Sequence, residues 1–275
     1  MEDQNDQPIG VIDSGLGGLT VVRELVNILP SESIAYFGDN ANCPYGNRSS
    51  DEILKLSTAM LDFLGNKGIK IAAIACNTIS VLGSELRKRY NFPLVSIIEA
   101  ACSYAAELKV KQIGVFATNF TIRGGLYEKL LNRLNPEIKT CSIPSPTLAS
   151  IVDEGQMDSP AARNEVKRLI SELMEKSPDS RHVILGCTHY PIVMDLFKAE
   201  APFITFINPA QAQAEAVKAL LCKNSLLKRE PIDGNNTAHL KIFTSGKERQ
   251  YHAVLEKLNI CSPFTVTTAA LPFPV

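Results

Sequence analysis

Apolar residues in this chain come in short unbroken runs, and each run gives way to a stretch with helical spacing. The runs predict strands at Pro8–Asp13, Ser33–Gly38, Ile69–Ala75, Leu94–Ile97, Gln112–Ala117, Ile138–Cys141, His182–Leu185, Thr205–Ile207 and Leu240–Thr244. Between them, apolar positions three and four apart predict helices at Gly18–Ile28, Ser50–Asn66, Ile79–Arg89, Ala100–Leu108, Ile122–Leu134, Ala161–Lys176, Ala210–Leu221 and Glu248–Leu258. Strands apolar at every position are covered on both faces. Their alternation with helices therefore predicts an α/β fold built on mostly parallel sheets flanked by helices.

The pattern also repeats. Ile9-Gly10-Val11-Ile12-Asp13-Ser14 resembles Ile113-Gly114-Val115-Phe116-Ala117-Thr118, and each opens a half of the chain. Farther on, Lys70–Ala75 runs into Cys76-Asn77-Thr78, and His182–Gly186 runs into Cys187-Thr188-His189. Two pseudo-symmetric lobes, each with a cysteine at a strand end, is the simplest reading. We place the crossings near Ile98-Glu99 and Asn208-Pro209, so residues 1–98 and 209–275 form one lobe and 99–208 the other. Ligands of open α/β sheets bind beyond the carboxyl ends of the strands. Asp13, Cys76, Thr118 and Cys187 all stand at such ends and are expected to meet in an interlobe cleft.

Composition narrows the class. The 275 residues are 45% hydrophobic, with a formal net charge of −1. That is ample for a core, and no basic stripe argues for nucleic acid. No apolar run approaches the roughly 18 residues that span a bilayer. The acidic, polar start at Met1–Gln7 is the reverse of a signal peptide, and is expected to be a loose tail. A soluble cytoplasmic protein is expected. Seven cysteines are an odd number in a chain this long, which favours reduced thiols over a disulfide scaffold. No zinc is expected, because Cys187 and His189 lack a partner pair at finger-like spacing. Cys102, Cys141, Cys222 and Cys261 read as small apolar fillers; Cys43 before Pro44-Tyr45-Gly46 could line a site, but packing is the favoured reading.

The chemistry concentrates at the two strand-end cysteines. A thiol ionises more readily at a helix N-terminus or beside a cation. Two such groups facing one carbon, one as thiolate and one as thiol, can remove a proton from one side and return one to the other. Ser14, Asn77, Thr78 and Thr188 are neutral donors that would hold a carboxylate without quenching a thiolate. His189 could serve Cys187 as proton partner, Asp13 could serve Cys76, and Glu154 could orient His189. Asp13-Ser14-Gly15-Leu16-Gly17-Gly18 is a glycine-rich strand-to-helix turn suited to an anion, but its glycines do not fit the dinucleotide fingerprint.

Together these stretches resemble the glutamate racemases of the cofactor-independent aspartate/glutamate racemase superfamily. The resemblance rests on Gly10–Thr20, Tyr36-Phe37-Gly38-Asp39 with Pro44-Tyr45-Gly46, Ala75-Cys76-Asn77-Thr78, Thr121-Ile122-Arg123, Asp153-Glu154-Gly155 and Leu185–Pro191, in the family's order over about residues 8–260. It implies two lobes with the site between them. It implies interconversion of L- and D-glutamate without pyridoxal phosphate, metal or nucleotide, with D-glutamate going to peptidoglycan. It implies Cys76 and Cys187 as the acid/base pair, Asp13 and His189 as their assistants, and Glu154 as a further helper. Ser14, Tyr45, Gly46, Asn77, Thr78, Thr188 and His189 become substrate-holding positions, with Asp13, Thr118 and Thr121 as further contacts. No cofactor is implied, the partner is a small-molecule substrate, and a homodimer is an assembly the family commonly forms.

The chain departs from the family at Asn40 and Asn42, where Thr and Arg are frequent. It departs also at Ile79, Ala100 and Asn208, where a small residue, Pro and Asp are usual. None of these removes a catalytic group. Two other functions fit the same residues less fully. One is racemisation of aspartate or a related acid, which turns on single hydrogen bonds and one methylene. The other is a non-catalytic binding role on a retained fold.

Overall fold

The computed structural model describes residues 4–229 and 239–271. Its strands form where the apolar runs lie, and in chain order the elements alternate. The first half runs β1 (Ile9–Asp13), α1 (Leu19–Ile28), β2 (Ile34–Gly38), α2 (Ser50–Gly65), β3 (Ile71–Ile74), α3 (Asn77–Ser80), α4 (Gly83–Arg87), β4 (Leu94–Ser96) and α5 (Ile97–Glu107). The second runs β5 (Gln112–Ala117), α6 (Asn119–Arg123), α7 (Leu126–Leu134), β6 (Lys139–Pro144), α8 (Leu148–Asp153), α9 (Pro160–Lys176), β7 (His182–Gly186), α10 (Met194–Glu200), β8 (Thr205–Ile207) and α11 (Pro209–Lys223). The chain closes with β9 (Leu240–Thr244), α12 (Arg249–Lys257) and β10 (Phe264–Thr268).

The strands pair in two sheets, ordered β10-β9-β2-β1-β3-β4 and β6-β5-β7-β8, and every pairing is parallel. The order β2-β1-β3-β4 is repeated as β6-β5-β7-β8. The similarity of Ile9–Ser14 to Ile113–Thr118 is therefore the trace of a repeated topology, in which β1 matches β5 and β3 matches β7. Burial is complete along β1, β2 and β3, as unbroken apolar strands demand. Parallel strands all end on the same edge of their sheet, so Asp13, Cys76, Thr118 and Cys187 lie at matching ends. The chain leaves the first sheet through α5 and returns through α11, and these two helices pack on each other. The buried Gln213 of α11 donates to the carbonyls of Ile74 and Val95, tying the return helix to the ends of β3 and β4.

Several expectations are corrected. The single helix expected over Ile79–Arg89 is α3 and α4, because α3 begins at Asn77, directly after Cys76. The one expected over Ile122–Leu134 is α6 and α7, broken where Gly125 takes a left-handed conformation at φ +61°. The strand expected to end at Cys141 continues to Pro144. The helices α8 and α10 have too few residues to show a period. The edge strand β10 is half exposed and carries threonines on its open face, so it has no unbroken apolar run.

The tail also differs from expectation. Residues 1–3 lie outside the described residues, but Gln4–Asp6 form a turn that is docked rather than loose. Asn5 donates to the carbonyls of Ser225 and Leu227. The fully buried Lys70 ammonium reaches the carbonyls of Asn5 and Leu226 and pairs with the Glu32 carboxylate at 2.6 Å. Glu32 in turn accepts from the Lys228 amide. One ion pair thus holds the start of the chain, the entry to β3 and the segment after α11. Lys70→Met should cost about 3–5 kcal/mol in urea unfolding, because it strands a buried carboxylate. Lys70→Met combined with Glu32→Leu should cost less than that single change.

Candidate active site

The two cysteines line one cavity, Cys76 from the first sheet and Cys187 from the second. Cys76 stands at the N-cap position of α3, with the Ile79 amide toward its sulfur. It also approaches the Ser14 hydroxyl at 3.5 Å. Burial, and then the nearby Asp13 carboxylate, push the Cys76 thiol up to about 12, against the Ser14 hydroxyl and the Ile79 amide. Asp13 is itself buried and held above the usual carboxylate range by that burial. It accepts the Gly15 amide at 2.9 Å and the Thr188 hydroxyl at 3.1 Å, a bond between the sheets.

Cys187 has a different neighbour. The His189 Nδ1 lies 3.7 Å from its sulfur, and the His189 Nε2 lies 2.8 Å from the Asp153 carboxylate. Burial disfavours a charged ring, but Asp153 and Cys187 outweigh it and hold His189 well above the ordinary histidine value. Burial likewise works against the Asp153 carboxylate, and His189 outweighs it and lowers Asp153. The two thiols therefore sit in unlike fields, one beside a carboxylate and one beside an imidazolium paired to a carboxylate.

The partner of His189 is Asp153 and not Glu154. Ala149 lines the cavity and Asp153 stands four residues later on the same face of α8. Glu154 is one position, about 100° of helix, farther round. It is exposed and accepts only from Gln156 among its described contacts.

The remaining expected residues surround the same space. Ser14, Tyr45, Gly46, Asn77, Thr78, Thr118, Thr188 and His189 all line the cavity. Thr121 lies behind them, bonded to the Thr118 hydroxyl at 3.0 Å, while Thr118 reaches Thr78 across the lobes at 3.1 Å. Tyr45 is buried with its hydroxyl on Asp39 at 2.6 Å. Asp39 also receives Asn42 and the Ser245 hydroxyl, which fixes the loop carrying Pro44-Tyr45-Gly46. Two glycines permit the sheets to meet. A Cβ on Gly17 would lie 2.4 Å from the Thr188 hydroxyl, and one on Gly46 would lie 3.0 Å from the Thr118 Cβ.

The departures from the family pattern do not enter the cavity. Asn40 accepts from Tyr251, Asn42 serves Asp39, and Ile79 is fully buried in the core. Asn208 caps α11 by accepting the Ala210 amide, and Ala100 is buried in α5.

Sequence reasoning missed Asp153 and Ala149 at the site. For Cys43 it favoured packing over a place in the site, yet the thiol bonds Asp153 at 2.9 Å and lines the cavity. The donor atoms of Cys43, Asp153 and His189 lie within 4.8 Å of one another, the kind of set that holds a cation. Here they are engaged with each other by hydrogen bonds. In the folded helix, buried Leu148 and Val152 set the phase that puts Asp153 on the side of Ala149. A larger groove of about 840 Å³ between α5, β8 and α11 contains neither strand-end cysteine, so the chemistry lies in the smaller space.

The fold and cleft define a two-lobed α/β protein with two thiols and several neutral donors lining one cavity, suited to moving a proton on and off a small acid. The chain belongs to the Asp/Glu/Hydantoin racemase family, whose model matches residues 9–217. The glutamate racemase of Desulforudis audaxviator is 34% identical over 268 residues, covering 96% of this chain and 97% of that one. The structure of glutamate racemase isoform RacE1 from Bacillus anthracis superposes with a TM-score of 0.89 at 32% identity, over 98% of this chain and 100% of that one. The Francisella tularensis glutamate racemase, solved in complex with D-glutamate, gives 0.87 at 30% identity, over 98% and 99%. No helix among the described residues is long and apolar enough to cross a membrane.

The ion pair makes a direct prediction. As pH rises through and past about 6.5, the usual histidine value, the His189 ring should stay doubly protonated in ¹⁵N NMR. Asp153→Asn removes the group that holds the proton and leaves the burial that opposes it, so the titration should move down. A His189 ring already neutral at pH 7 in the unaltered protein would contradict the pair.

Proposed function

We propose that this chain is a glutamate racemase, an isomerase that acts without a cofactor. The observation that carries the reading is the pair of cysteines, each ending the third strand of its half and both lining one cavity. Family membership supports the class, and the relatives named glutamate racemase support the substrate. The D-glutamate formed goes to cell-wall peptidoglycan, as the family resemblance implies, and the enzyme works in the cytoplasm, a reading supported by the composition and the polar N-terminus. A homodimer is the assembly the same resemblance suggests. We divide the chain into lobes at residues 1–98 with 209–275, and 99–208.

The hard step is removal of the Cα proton. One cysteine, as thiolate, takes that proton, and its electron pair passes to Cα and the adjoining carboxylate. The opposed cysteine, as thiol, gives a proton to the other face. The first sulfur ends protonated and the second ionised, so the pair is set for the reverse reaction until its protons re-equilibrate. Cys187 has the imidazolium of His189 as counter-ion for a thiolate. Cys76, kept protonated by burial and Asp13, is the acid in that state. For the opposite direction Asp13 is the group placed to draw the proton from Cys76. Hydrogen-bond donors at Ser14, Asn77, Thr78 and Thr188 hold the substrate and meet the charge that develops. Glu154, turned to solvent, takes no part in this scheme, and Asp153 holds His189.

The cavity is about 20 Å³, room for roughly one water. Glutamate is much larger, so entry requires the sheets to part. The bonds from Thr188 to Asp13, Thr78 to Thr118 and Cys43 to Asp153 cross the cleft, and such a parting would break them.

Proton NMR in D2O tests the reading. L-Glutamate incubated with the protein and no added cofactor should lose its Cα–H signal. Early in the reaction the new D-glutamate should carry deuterium while residual L-glutamate keeps its proton, since a different group serves each face. Equal early labelling of both enantiomers would show one base and defeat the two-thiol scheme. Cys76→Ser and Cys187→Ser should each slow racemisation by about 10²–10⁴-fold, the usual loss for a general acid or base. Near-normal rates in either variant would remove that cysteine from the chemistry.

A further inference from the structure

We propose that Tyr127 is a positioning residue that sets the side-chain amide of Asn77 for the substrate carboxylate and gauges the spacing of the two cysteine elements. The inference rests on the racemase reading and adds a residue to its site. Tyr127 lies on α7, in the second half of the chain, and is 2% exposed. Its hydroxyl donates to Asn77 Oδ1 at 2.7 Å. Asn77 is the residue after Cys76 and opens α3. The bond therefore runs from one half of the molecule to the backbone neighbour of the other half's thiol.

The bond has a consequence for the rest of the amide. With Oδ1 taken by Tyr127, Asn77 Nδ2 is buried and has no partner. Buried donors are normally paired, and an orphan at a site calls for a ligand. Asn77 lines the cavity beside Cys76, and a carboxylate oxygen is the acceptor that glutamate brings there. Rotating the amide by 180° would present Oδ1 to that carboxylate, oxygen to oxygen. In that form Nδ2 would bond the phenol oxygen and Oδ1 would repel the carboxylate, so the substrate selects the form in which Tyr127 donates and Nδ2 faces the cavity. The phenol remains a donor at all working pH, since burial holds it well above its ordinary ionisation range.

The ring makes the second contact. A Cβ on Gly186 would lie 3.1 Å from Tyr127 Cε2, so the ring edge rests on the backbone just before Cys187. One rigid side chain thus meets the element of Cys76 through its hydroxyl and the element of Cys187 through its edge. In sequence it looked like one more apolar residue on an amphipathic helix.

Tyr127→Phe keeps the ring and removes only the hydroxyl. The expected result is a KM for glutamate raised about tenfold in both directions with kcat changed less than about threefold, the pattern of lost uniform binding. Asn77→Ala should raise KM similarly, and Tyr127→Phe placed in that background should add little, because its effect passes through Asn77. The Asn77 side-chain NH2 signals should also shift on adding glutamate in the unaltered protein, and shift less in Tyr127→Phe. An unchanged KM in Tyr127→Phe, or an equal further rise in the Asn77→Ala background, would overturn the inference while leaving the racemase reading intact. An unaltered protein that leaves the Cα proton of glutamate in place would overturn both.

Discussion

The site depends on how closely two sheets approach at their carboxyl edges. Asp13, at the end of β1, accepts the Thr188 hydroxyl beyond β7, and Gly17 leaves no room for a side chain against the same threonine. Every other feature of the cleft follows from that contact. Parallel strands bring their ends to one edge, so a repeated topology yields two equivalent edges. Facing them together makes each edge half of one site. The glycine-rich turn after β1, which in sequence suggested an anion seat, is used first to let the second sheet come near.

The same symmetry creates two thiols and then separates their surroundings. Cys76 shares its end with a buried carboxylate and is held as a thiol. Cys187 shares its end with an imidazole made cationic by Asp153. Equivalent backbone positions thus carry unlike electrostatic settings, as the proposed acid and base pair requires. Burial sharpens the difference, because each neighbour acts through little intervening water.

The helices that follow the site strands are short where they face the cleft. The pieces α3 and α6 begin immediately after strand-end residues, and their first turns supply Asn77, Thr78 and Thr121. Because these helices start at the strand ends, their first residues stay at the edge, while α5 and α11 carry the chain between sheets and pack together behind.

Much of this was legible in the chain. Apolar runs without alternation required covered parallel strands, and two cysteines at the ends of matching runs required thiols at matching strand ends. Those are backbone-period facts, and a linear sequence records them. What the sequence could not record was which side chains point across a gap. Asp153 and Glu154 are adjacent carboxylates, and only the phase of α8 decides that the first meets His189. Cys43 looks like filler until its loop is folded under Asp39. Tyr127 looks like core until its hydroxyl is found on Asn77, fifty residues away. Sequence determined the sheets and the paired thiols, because these follow from local periodicity and order, and its motifs carried the resemblance to the family. Tertiary structure alone decided the partners of each thiol. Those depend on the direction of single side chains at the meeting of two separately wound sheets.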